Sequence, residues 1–305
     1  MNLGAAPPRW HVHPHNRPGY YRLVRATARR LPWPARHWLA VRVARLGAGR
    51  FPAERAAVRR NLVRVHPDRS AVWLDRAADR VFERYAVCFA DLLSLNRESP
   101  DRRWRRVAGA ETQTPTREAL AAGRGCVSIT AHLGNWELAG RALTILGRPV
   151  NVVMAPESDP DLDAVLTEGG DPPLRVVRLG SPLDSVGLVA ALRRGEVVAF
   201  QMDRALGGRG DRAVPFFGVP ARFPLGPFLV AAAAGAPVVA AFCVLEPTGS
   251  YRLHVQPAFD VRRGDEPSGL APAVRVLEGY VRAHWDQWFN FFDVWDGADG
   301  TSGRG

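Results

Sequence analysis

Lysine is missing altogether. All 41 basic residues of this 305-residue chain are arginine, set against 30 acidic residues, for a formal net charge of +11. The exclusive use of arginine is read as genome base composition, not as mechanism, but the excess of charge calls for an anionic partner: nucleic acid, a phospholipid surface or a phosphate-bearing substrate. No helix-turn-helix, zinc-finger or RNA-recognition signature is present, so nucleic acid ranks below a membrane. Cysteine is scarce. Cys88, Cys126 and Cys243 lie far apart in apolar surroundings, which argues against a disulfide framework or a zinc site and fits buried thiols in a reducing, cytoplasmic compartment. The first 18 residues have no apolar h-region, so they do not read as a signal peptide. Residues 20–50 have no uncharged run of 18, so no membrane span is expected there.

Apolar residues make up 47% of the chain, enough for one large α/β domain with a helical appendage. Residues 1–19 read as a flexible tail in which His11, His13 and His15 alternate among prolines, with metal binding as the alternative reading. Residues 20–50 mix Trp33, Trp38, Leu39, Val41, Val43 and Leu46 with arginines. That pattern suits either an interfacial membrane attachment or a packed helix with its arginines in water. Phe51–Pro67 and Ser70–Leu95 read as helices, and the arginine-rich segment 97–106 as a linker or solvated face. Buried strands are expected at Val150–Ala155, Leu174–Leu179 and Val197–Met202, separated by helical or turn segments. That alternation predicts an α/β fold with a mostly parallel central sheet flanked by helices, preceded by an N-terminal helical region. Leu225–Leu245 is uncharged, but Pro227, Gly235 and Pro237 break it into a core helix to about Ala234 and a strand from Val238 to Leu245, to which Tyr251–Gln256 pairs.

The chain is organised around Cys126–Gly140, a β-branched run that breaks at a glycine and continues with helical spacing from Trp136 to Leu146. On an unbroken helix His132 and Glu137 would stand about 140° apart. With His132 in the turn and Gly134 free to take unusual dihedrals, Glu137 is expected to reach back to one ring nitrogen and leave the other as a base. Asn135 suits the helix N-cap, and the amides of that first turn suit an anion or an oxyanion. A cap beside a surface charge is the bland alternative.

A second cluster follows the strand ending at Met202. Asp203 and Arg204 lead into a glycine-rich loop and then Val214–Arg222, which includes Phe216 and Arg222. A carboxylate and arginines at a strand's end make an anion site, and exposed phenylalanines beside them an acyl lining. Residue chemistry alone favours a solvated loop with a Phe-Phe core plug.

His132-Leu133-Gly134-Asn135-Trp136-Glu137 resembles the HxxxxD/E motif of bacterial lysophospholipid acyltransferase-like proteins, typified by the lipid A lauroyl/myristoyl and phosphatidylinositol mannoside acyltransferases. Asp203-Arg204 with Phe216-Phe217-Gly218-Val219-Pro220 is similar to a second block of that family, and Gln287-Trp288 to its C-terminal signature. The likeness extends over about residues 50–295 and includes Asn61-Leu62. It lacks the Glu-Gly-Thr-type block of glycerol-phosphate acyltransferases and the N-terminal membrane helix of many relatives. The resemblance implies a glycerolipid acyltransferase-like core at 107–296, a membrane-association and packing region at 20–106, and a disordered tail at 297–305. It further implies transfer of an acyl group from acyl-CoA or acyl carrier protein to a hydroxyl of a membrane lipid or glycolipid. His132 and Glu137 would be the catalytic pair, and Asn135, Asp203, Arg204, Phe216 and Arg222 would bind substrate. No metal or other cofactor is called for, and the expected place is peripheral, on the cytoplasmic face of the bacterial inner membrane and against its anionic lipids. Two other classes stay open: a basic lipid- or nucleic-acid-binding protein with a degenerate site, and a metallohydrolase with His132 and Glu137 as ligands.

Overall fold

The computed structural model describes residues 18–154, 174–178, 182–208 and 210–296. The histidines of the N-terminal tail and the C-terminal tail fall outside these residues.

Four helices come first: α1 (Pro18–Arg30), α2 (Trp33–Gly47), α3 (Pro52–Val65) and α4 (Ala71–Leu92). Pro52 opens α3, where a missing N–H costs nothing, and the hydroxyl of Ser70 caps α4 by accepting from the Trp73 amide at 3.3 Å. The apolar stripe of α4, with Leu74, Ala77, Ala78, Val81 and Cys88, packs against Val58 and Leu62 of α3. Buried polar side chains pin these helices to the rest of the chain. Asn61 of α3 donates to the carbonyls of Asn290 and Phe292 and accepts from the Val294 amide, so one buried side chain satisfies three backbone groups of the C-terminal segment. Asp91 of α4 is fully buried and is met by Arg36 at 2.8 Å and His37 at 2.7 Å, both from α2. Its third partner is the Tyr251 hydroxyl at 2.8 Å.

The segment expected to be a solvated arginine-rich linker is instead structured. It contains α5 (Pro100–Trp104), and Arg103 is buried with its guanidinium on the Glu98 carbonyl. The Glu98 carbonyl supplies one of the acceptors that burial of the cation requires.

The core is a seven-stranded sheet in the order β1 (Val107–Ala108), β9 (Tyr251–Val255), β8 (Val238–Leu245), β2 (Cys126–Thr130), β5 (Val197–Gln201), β3 (Val150–Met154), β4 (Leu174–Arg178). All neighbours run parallel except β8 and β9. Every residue of β8 is buried, as its uncharged sequence requires of a strand covered on both faces. Helices α6 (Thr114–Ala121), α7 (Trp136–Ala142), α8 (Pro182–Arg193), α9 (Gly226–Ala234) and α10 (Glu266–Ala283) complete the layers. The expected break inside Leu225–Leu245 occurs at Gly235, which closes α9 in the left-handed region at φ +66. Among the described residues no helix is long and apolar enough to cross a membrane.

Beyond the glycine-rich loop the chain forms a two-stranded ribbon, β6 (Asp211–Phe216) and β7 (Val219–Pro224). Phe217 and Gly218 both have positive φ, which suits the tight turn of a hairpin. Prolines at 215, 220 and 224 disguise the strands, and a ribbon with free edges tolerates them.

Candidate active site

Strands β2 and β5 pair in parallel register from Cys126 with Val197 to Thr130 with Gln201. His132 and Asp203 each lie two residues beyond that last pair, so the register alone brings them side by side at the carboxyl edge of the sheet. The chain leaves β2 toward β3 and returns after β5 to β8 on the other side of β2, so this edge is a topological switch point, where such sheets bind ligands.

Asp203 Oδ1 accepts from the His132 backbone amide at 3.0 Å and lies 2.8 Å from His132 Nδ1. Asp203 Oδ2 accepts from Trp288 Nε1 at 3.2 Å and Asn290 Nδ2 at 2.9 Å. Burial opposes the charge on Asp203, but His132, Arg204 and these hydrogen bonds outweigh it and hold the carboxyl well below the usual carboxylate range. An ionised Asp203 makes the Nδ1–H tautomer of His132 the favoured one and turns Nε2 into the acceptor. The His132 side chain is 10% exposed, and its Nε2 has no hydrogen-bond partner among the described residues. Burial and the Arg204 guanidinium depress the His132 pKa, against the pull of Asp203, so the imidazole is neutral at neutral pH.

The expected His132–Glu137 pair is corrected by this geometry. Glu137 sits in the first turn of α7 and is held by other partners: it forms an ion pair with Arg97, and its Oε1 also accepts from Arg141 Nε at 2.7 Å. Two buried guanidinium groups compete for that carboxylate, and Arg141 is four residues along the same helix, where side chains meet naturally. Burial raises the Glu137 pKa to about 7, against the pull of Arg97. With both partners cationic, Glu137 does not share a ligand set with His132. Among the described residues no group of three His, Cys, Asp or Glu is placed to hold a metal.

The turn between β2 and α7 is clamped from several sides. Gly134 has φ +61, and a Cβ there would meet the Cys243 carbonyl oxygen at 2.2 Å, so only glycine fits against β8. Its amide donates to the Gln287 carbonyl at 2.9 Å, and the Phe289 amide donates to the His132 carbonyl at 2.8 Å. Gln287 in turn reads the backbone of Leu245, accepting from its amide and donating to its carbonyl at 2.8 Å each. Asn135 caps α7 through the Leu138 amide at 3.1 Å and exchanges two 2.9 Å hydrogen bonds with Asn96. It is buried, and these bonds make it a residue that shapes the turn. Its cap also takes up one of the helix amides expected to hold an anion.

Arg204 joins the site through Asn290, donating from Nε to Oδ1 at 3.0 Å, and through the Phe289 carbonyl at 2.9 Å. Burial lowers its pKa to about 10, which leaves it charged at neutral pH. Arg222 lies on β7, half-buried, with its guanidinium on the Asp211 carbonyl at 3.4 Å, outside the hydrogen-bond set of His132 and Asp203. Phe216 is not an exposed acyl lining. At the end of β6 it is fully buried, stacked on Trp295 and packed against Phe223 and Trp288. Trp288 and Asn290 are site residues that spacing arguments do not find. Their signal was the dense aromatic and amide run at 287–292, whose partner on the sheet is invisible without the topology.

The family model for bacterial lipid A biosynthesis acyltransferases matches residues 20–296. The chain is also similar to a phosphatidylinositol mannoside acyltransferase of Mycobacterium tuberculosis, with 29% identity over 191 residues. That match covers 58% of this chain and 56% of the relative, so it spans little more than half the length of the mycobacterial protein. It is 24% identical over 256 residues to a lipid A biosynthesis palmitoleoyltransferase of Escherichia coli, covering 81% of this chain and 80% of that one. An acyltransferase of Shigella flexneri named for lipid A biosynthesis matches to the same extent.

Proposed function

Because the chain belongs to the bacterial lipid A biosynthesis acyltransferase family, we propose that it transfers a fatty acyl group from an acyl thioester to a hydroxyl of a membrane lipid or glycolipid. The thioester is carried by coenzyme A or by acyl carrier protein, and the protein works peripherally at the cytoplasmic face of the inner membrane, against anionic lipid. The observation that carries this reading is the open Nε2 of His132, backed by an ionised Asp203 on Nδ1.

In this mechanism Nε2 takes the proton of the acceptor hydroxyl as its oxygen attacks the thioester carbonyl. Asp203 holds the ring in place and stabilises the imidazolium that forms, without itself taking the proton. The tetrahedral intermediate collapses, the carbon–sulfur bond breaks, and the imidazolium returns its proton to the departing thiolate. No acyl-enzyme forms, because the acceptor is the nucleophile. General-base action supplies roughly 10²–10⁴ in rate, and positioning of the two substrates supplies much of the remainder. Arg204 is the cation nearest this chemistry and serves the phosphate or carbonyl oxygen of a substrate; Arg222 serves the rim. Glu137 keeps the turn in place through Arg97 and Arg141.

The test is transfer of a labelled acyl group from acyl-CoA and from acyl carrier protein to total bacterial lipid. Labelling by the wild type that disappears in a folded His132→Ala variant supports the reading, and equal labelling by both contradicts it.

A further inference from the structure

The ends of β2 and β5 carry a second pair of polar side chains beside the catalytic one. Side chains alternate between the faces of a strand, and Ala131, Leu133 and Met202 all lie in the apolar core shared with α8, α9 and α10. Thr130 and His132 from one strand end, and Gln201 and Asp203 from the other, therefore face the opposite side. That side is covered by α7, whose Leu138 and Ala139 pack with Ala241 of β8. The His132 ring lies 5.3 Å from that of Trp136 in the first turn of α7, so the imidazole leans to the same side. Thr130 and Gln201 are partners in the ladder, two residues or about 7 Å short of His132 and Asp203.

Only the outer half of this set is satisfied. His132 and Asp203 bond to each other, whereas the Thr130 hydroxyl is buried without a hydrogen-bond partner and the half-buried Gln201 carboxamide has none among the described residues. The flanking strands do not supply one. Continuing the register sets Ala241 of β8 beside Thr130 and Met154 of β3 beside Gln201, and neither side chain offers more than a weak acceptor. A buried hydroxyl left unpaired destabilises the free protein, and this one stands two residues from the catalytic base.

We infer that Thr130 and Gln201 form a substrate subsite beside the catalytic pair, for an uncharged group that both donates and accepts hydrogen bonds: a second hydroxyl of the acceptor or an amide in the thiol arm of the donor. The assignment rests on the acyl-transfer reading. Hydroxyl and carboxamide each present a donor and an acceptor and no charge, which suits such a group, whereas a substrate phosphate finds its cation in Arg204. Because the subsite borders His132, a group held there also orients the reacting hydroxyl or thioester against Nε2. Substrate then supplies the partner that the fold withholds, so stability is given up for recognition.

The experiment is steady-state acyl transfer by the full-length protein, with palmitoyl-CoA and palmitoyl acyl carrier protein as donors and a bacterial lipid extract as acceptor, each substrate varied in turn, together with thermal unfolding. Thr130→Val, which keeps the branched shape and removes the hydroxyl, and Gln201→Leu should each raise one KM by about 5–10-fold. Thr130→Ser should recover the KM that Thr130→Val loses. The thermal midpoint of Thr130→Val should equal or exceed that of the wild type, because the hydroxyl it removes has no partner in the free protein. A rise confined to the acceptor KM identifies an acceptor hydroxyl, and one confined to the donor KM identifies an amide of the thiol arm. Unchanged KM for both substrates in both variants would overturn the inference. So would a lowered midpoint in Thr130→Val, which would place the partner of the hydroxyl within the protein. Absence of transfer by the wild type would strike the acyl-transfer reading, and this assignment with it.

Discussion

Asp203 accepts two hydrogen bonds from one residue on a single oxygen, from the backbone amide of His132 and from its Nδ1. The first ties the aspartate to the backbone where β2 ends, and the second orients the ring. The imidazole is thereby held in position and tautomer by the same atom, at the point where register brings two parallel strands to an end together.

Asp203→Asn is expected to lower kcat by about 10²–10⁴ while leaving KM within a few fold, because the amide no longer stabilises the imidazolium. The His132→Ala, Asp203→Asn double variant should be no slower than His132→Ala alone, since the two residues act as a unit. Steady-state kinetics with one donor and one acceptor check both statements.

Glu137→Gln should act on stability first. Removing the charge takes from Arg97 and Arg141, both largely buried, the carboxylate that they share, and breaking such a pair costs roughly 3 kcal/mol. Urea unfolding at about pH 8.5, above the Glu137 pKa of about 7, should show that loss, and kcat at a temperature where the variant is folded should fall far less than in Asp203→Asn.

Gly134→Ala combines a positive φ with a Cβ driven into the Cys243 carbonyl. A loss of about 3 kcal/mol or more is expected, which would lower the thermal midpoint sharply or leave the protein insoluble.

The pH dependence follows from two depressed groups. The folded pKa of His132 lies below its ordinary value of 6.5, so kcat/KM should stay level through neutral pH and decline only below that value. For stability the sign is the same. The contribution of His132 is fully present above pH 6.5 and is lost as pH falls through its folded pKa, and that of Asp203 is present above its ordinary 3.8 and is lost further down. A pH–rate profile with its acid limb above 6.5 would contradict the assignment of His132 as a buried, neutral base.

Much of this architecture was legible from periodicity and punctuation. Val238–Leu245 reads as a fully buried strand because it is long, apolar and bounded by Pro237 and Glu246, and α9 ends where Gly235 says it should. The α3 and α4 helices are legible for the same reasons, with ends shifted by a few residues. The site was legible only in part. His132, Asp203 and Arg204 stand out as chemistry at strand ends, yet spacing along the chain favoured Glu137 as the partner. Proximity in sequence was outweighed by two arginines that claim Glu137 and by a strand register that delivers Asp203 from 71 residues away. The prolines hid the β6–β7 ribbon, whereas the burial of Phe216 is what a Phe-Phe core plug anticipates. Arg97 and Arg103 looked solvated because arginine runs usually are, and only the packed fold shows the acceptors that bury them.

The most direct test is to measure labelled acyl transfer side by side in the wild type, His132→Ala, Asp203→Asn and Glu137→Gln. The account predicts activity in the wild type, its near-complete loss in the first two variants, and substantial retention in a folded Glu137→Gln. Retention in Asp203→Asn with loss in Glu137→Gln would contradict it and restore the pairing that chain spacing alone suggests.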